Sequence, residues 1–96
     1  MTTIVKNIIK NSDWEIWNIG ENNREFTNKC LVPFVKCDEN YHVTETIYLQ
    51  VESIEDAETL MKAAHLGGRK HWNRYRKAHR KELAQKAISV MNKYLI

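Results

Sequence analysis

The 96 residues, 43% hydrophobic and 28% charged, suffice for one small core and are too apolar for a disordered chain. No apolar run approaches the roughly 18 residues that a membrane-spanning helix needs, and residues 1–6 lack the basic-then-apolar layout of a secretory signal, so the expectation is a cytoplasmic protein with no membrane partner. The formal charge of +3 hides a division: residues 1–68 carry six Lys/Arg against eleven Asp/Glu, net −5, and residues 69–96 carry nine against one, net +8.

Taken in order, Ile4, Val5, Ile8 and Ile9 fit a β-branched strand or a helix turn, and the strand is preferred because Ile and Val lose rotamer freedom in a helix. Asn11-Ser12-Asp13 is turn chemistry leading into residues 14–19, which reads as a hairpin. Residues 20–24 read as a loop, and from Phe26 an extended segment runs to Cys37 with Pro33 inside it. A proline cannot donate to a ladder, so this strand is expected at an edge or at a bulge; an edge can pair between chains while Pro33 and the adjacent Lys residues oppose that, which leaves a monomer and a weak dimer equally open. After the turn Asp38-Glu39-Asn40, Tyr41, Val43, Ile47, Leu49 and Val51 share one face with Glu45, while His42, Thr44, Thr46, Tyr48 and Gln50 share the wet one.

Ser53, three residues before Asp56, is close to a capping box, and Ile54, Ala57, Leu60, Met61 and Ala64 recur at helical spacing up to Gly67-Gly68. Nothing breaks a second helix over residues 69–95. The expectation is a single α+β domain over residues 1–96. An antiparallel sheet of about four strands, a meander over 1–52, packs against two C-terminal helices, 53–66 and a long basic one at 69–95.

The chemistry concentrates in residues 69–81, which hold seven Lys/Arg and no acid. On a helical wheel Arg74, Arg76, Lys77, Arg80, Lys81 and Lys70 span roughly 160° beginning beside Arg69, and Trp72, Tyr75, His79, Leu83 and Val90 gather nearly opposite, where a helix would dock on its sheet. Like charges four residues apart cost a few tenths of a kcal/mol per pair, and cations in the first half of a helix oppose its macrodipole. A polyanion along the stripe would turn both penalties into attraction. Asn73 falls within the stripe and could touch a base; Trp72 and Tyr75 suit core packing better than base stacking.

Other chemistries lack their patterns. Cys30 and Cys37, if extended, lie about 23 Å apart on opposite faces and cannot bridge. With His42, His65, His71 and His79 they do not reproduce zinc spacing, so no metal and no cofactor is expected. His71, Asn73 and His79 share one helix, whereas a His-Asn-His nuclease draws its histidines from a hairpin and a helix. No phosphate loop or nucleophile elbow occurs, and the chain is read as a non-enzyme.

Gly67-Gly68-Arg69-Lys70, leading into a basic helix that turns Ala-rich at Ala84 and Ala87, resembles the last helix of double-stranded-RNA-binding domains. That resemblance implies phosphate contacts from Arg69, Lys70, Arg74 and Lys77. The family sets this helix directly after its third strand, whereas this chain inserts the helix at residues 53–66, and the resemblance covers about 30 residues.

The first functional expectation is therefore a nucleic-acid-binding module that grips the RNA or DNA backbone. The alternative is a small interaction or inhibitor protein that docks on an acidic protein surface or a nucleoprotein complex. In its nine Asn, ten Lys and nine Ile on a compact chain without a catalytic motif, it is similar in type to the anti-CRISPR inhibitors of phages and mobile elements.

Overall fold

The computed structural model describes residues 4–15, 17–20, 24–64 and 81–96. Its best-defined layer is built where apolar residues alternate. Val32 and Phe34 on β3 (Leu31–Cys37) pair with Leu49 and Ile47 on β4 (Val43–Gln50), and all four side chains are buried on one face. β1 (Ile4–Lys6) and β2 (Asn18–Ile19) complete a four-stranded sheet of order β1-β4-β3-β2.

The sheet is mixed. β1 runs parallel to β4, with Ile4 beside Ile47 and Lys6 beside Leu49, while β3 is antiparallel to both its neighbours. The fold class is thus α+β as expected, but the antiparallel meander is corrected. β1 and β2 point the same way at opposite edges, so no hairpin joins them. The chain between them passes instead through a buried Ile9, a 3-10 turn (Asn11–Glu15) and a buried Trp17. Ile9 is held there by the C-terminus: its N–H donates to the Tyr94 carbonyl at 2.8 Å, and the Ile96 N–H donates to its own carbonyl at 3.1 Å.

Three further expectations change. Residues 24–28 form a one-turn helix, α1 (Arg24–Asn28), in place of a loop running into a strand. It stops where Cys30 takes φ 58°, and β3 begins one residue later. Pro33 lies in a central strand, not at an edge. Gly20 donates to the Pro33 carbonyl at 2.8 Å, and a strand residue turns its N–H and C=O to the same side. The missing donor therefore faces Gly20, just where β2 ends, and the β4 ladder loses nothing. A Cβ on Gly20 would meet Val35 Cγ1 at 3.2 Å and Pro33 Cβ at 3.4 Å, so glycine permits the close approach. On β4, Ile47, Leu49 and Val51 are buried as expected, but Tyr41 and Val43 are exposed because that end of the strand overhangs the core. The predicted turn holds: Asp38 Oδ1 accepts from the N–H groups of Asn40 at 2.8 Å and His42 at 3.0 Å.

α2 (Ile54–Ala64) begins as the sequence indicates, with the Asp56 N–H donating to Ser53 Oγ at 3.1 Å. Its buried Ala57, Leu60, Met61 and Ala63 join the sheet's apolar face in one core cluster. α3 (Lys81–Met91) packs on α2 and contributes Ala87 and Met91 to the same cluster. Helix was expected as far as residue 95; it ends at Met91, because Leu95 bridges Ile9 instead.

Candidate functional site

Of the residues to which the sequence assigns binding, Arg69, Lys70, Trp72, Asn73, Arg74, Tyr75, Arg76, Lys77 and Arg80 lie outside the described residues, as do His65, His71 and His79. Lys81 is the first residue of α3. The site is therefore built from what frames it.

α3 runs back along α2. The residues just past its C-terminus, Lys93 and Tyr94, meet Asp56 in the first turn of α2, which puts Lys81 at the same end of the pair as Ala64. Ala64 and Lys81, the described residues that flank the basic run in sequence, thus lie one helix length, or about 16 Å, from the Asp56 end. Glu52, Glu55 and Asp56 cluster at the far end. α2 itself has acids in its first turn and Lys62 in its last, matching its macrodipole.

Of the docking face drawn on the wheel, Leu83 and Val90 are half-buried and Val90 packs against the core, while Trp72, Tyr75 and His79 lie outside the described residues. α3 also buries Ala87 and Met91 fully, and Glu82, Gln85, Lys86 and Ser89 are exposed.

Four carboxylates of the body have a basic side chain beside them. Glu25 pairs with Lys29 at 3.2 Å, Glu45 with Lys36 at 3.8 Å, Asp38 with the His42 ring at 3.7 Å and Asp56 with Lys93 at 3.3 Å. Asp56 is the buried member. Tyr94 Oη donates to its Oδ2 at 2.6 Å and accepts from the Glu52 N–H at 2.8 Å. Burial first, and then this bond to Asp56, push the Tyr94 hydroxyl up to about 12. The sequence carried no signal for this cluster beyond the capping role of Asp56, because residues 56 and 94 meet only through the tertiary fold.

Tyr48, on the strand face expected to be wet, is half-buried and packs against Phe26, the ring centroids 5.0 Å apart at a tilted interplanar angle of 59°. His42 is exposed beside Asp38. Cys30 and Cys37 are free thiols at the two ends of β3. Among the described residues no group of three or more His, Cys, Asp or Glu could hold a metal ion. One depression of about 440 Å³ lies between α1 and α2, lined by Arg24, Thr27, Asn28, Glu58, Met61 and Lys62. Residues 24–28 read as loop and strand, so their proximity to α2 was not visible in the sequence.

No family model matches this chain, and neither a curated protein nor a solved structure matches it.

Proposed function

We propose that the chain is a non-enzymatic module that binds the backbone of RNA or DNA through the basic run at residues 69–81. The observation that carries this reading is the separation of charge: seven Lys/Arg without an acid stand on a chain whose first 68 residues sum to −5. Two features of the body support it. Glu25, Glu45 and Asp56 each have a lysine beside them, Asp38 has the His42 ring, and the acids around the start of α2 lie at the end away from Ala64 and Lys81. Lys62, in the last turn of α2, is the charged residue of that helix nearest in sequence to the run.

The binding is electrostatic and carries little sequence information, since phosphate contacts position a nucleic acid without reading it. Asn73 is the one candidate for a base contact in the run, and Trp72 and Tyr75 are secondary candidates for stacking. The test is fluorescence anisotropy of labelled RNA and DNA with the wild type and with a variant carrying Arg74→Gln, Arg76→Gln, Lys77→Gln and Arg80→Gln. The variant is expected to lose roughly tenfold or more in affinity at moderate salt, and a Lys36→Gln control to lose nothing measurable. Equal affinities for wild type and variant would overturn the reading. Capture of a partner that survives nuclease digestion would favour docking on an acidic protein, the inhibitor-like alternative.

A further inference from the structure

The depression between α1 and α2 joins two elements distant in sequence, and the charges it gathers are unbalanced. Arg24 opens α1 and Lys62 lies in the last turn of α2, and among the described residues neither enters an ion pair. Asn28 adds an exposed side-chain amide, Met61 a buried apolar floor, and Glu58 a single carboxylate. At about 440 Å³ the space suits one small polar group with its attached carbons.

We infer that this depression is a phosphodiester site. Arg24 offers a planar fork of donors, Lys62 a point charge and Asn28 two amide hydrogens, all suited to phosphate oxygens. Glu58 is the opposing charge. Two cations against one carboxylate leave the depression a net +1, so phosphate oxygens are attracted to it and Glu58 weakens that attraction without reversing it. Lys62 is two residues from Ala64, the last described residue before the segment that carries the basic run, so the depression and the run are close along the chain and one strand could engage both. That continuity rests on the reading proposed above; affinity of the depression for an isolated diester does not.

The test uses the full chain, labelled with ¹⁵N, and two probes: a dinucleoside monophosphate, with one diester and no terminal phosphate, and a twelve-nucleotide RNA. Both are expected to shift the amides of Arg24, Asn28 and Lys62. An Arg24→Gln/Lys62→Gln variant should lose the dinucleotide shifts and lower the salt slope of RNA binding by about 1.4, the single-strand value for two contacts. Glu58→Gln should tighten dinucleotide binding roughly two- to fivefold by removing the like charge. If the dinucleotide leaves these amides unmoved while the RNA binds with its slope unchanged in the double variant, the site is wrong and the basic-run reading stands. If the dinucleotide shifts them, and RNA binding is lost in this double variant but unchanged in the variant carrying Arg74→Gln, Arg76→Gln, Lys77→Gln and Arg80→Gln, the site stands and the basic-run reading falls.

Discussion

Tyr94 shows how much one side chain can fasten. Its hydroxyl is a donor to Asp56 and an acceptor from the Glu52 N–H, and so ties the C-terminus to the end of β4 and the first turn of α2 together. Tyr94→Phe keeps the ring and removes both bonds, leaving the buried Asp56 carboxylate to Lys93. The expected cost is about 1–3 kcal/mol, read as a lower urea midpoint and a Tm lower by several degrees. The same hydroxyl makes a pH signature. Its folded value, about 12, lies above the ordinary 10, so its contribution is complete below pH 10 and is lost as pH rises from 10 to 12. Wild-type stability should decline across that window, and the Tyr94→Phe protein should lack this component of the decline. An identical alkaline decline in both proteins would show that the hydroxyl is not the titrating group.

Among the elements, those read correctly from the sequence are the ones whose signal is local. β4 announces its buried half through Ile47, Leu49 and Val51, and α2 through Ser53 and the spacing of Ala57, Leu60 and Met61. β1 is three residues long, and its partner is more than forty residues away, so no periodicity in residues 4–6 could reveal a parallel neighbour. α1 was hidden because one helical turn among Asn, Glu and Arg has no amphipathic repeat. Pro33 misled for a different reason: the rule that keeps proline out of central strands concerns a donor, and here the donor faces the end of a two-residue strand. The C-terminal segment was read as more helix, yet it acts as a strap. Its backbone bonds to Ile9 and Asn11 and its Tyr94 cluster hold the crossing chain, α2 and β4 in place. A chain ending at Met91 is therefore expected to lose cooperative unfolding, as followed by circular dichroism against urea. A sharp transition near the wild-type midpoint would show the strap to be dispensable.

For the molecule as a whole, the governing quantity is the separation between a chain section at −5 and a tail at +8. That separation needed only counting. The geometry of the tail was legible in part: Leu83 and Val90, placed on the docking face by the wheel, are half-buried, and α3 buries Ala87 and Met91 as well. The flanking depression was not legible at all, because Arg24 and Lys62 become neighbours only when α1 packs on α2. A dipolar body of this kind should bind nucleic acid by displacing counterions, and the number displaced can be measured. The most direct measurement is the affinity for a labelled duplex and a labelled single strand across a series of salt concentrations. With four or five cations of the basic run engaged, log K should fall against log salt with a slope of about −3 to −4.5. A slope near zero, or no binding at the lowest salt, would contradict the account.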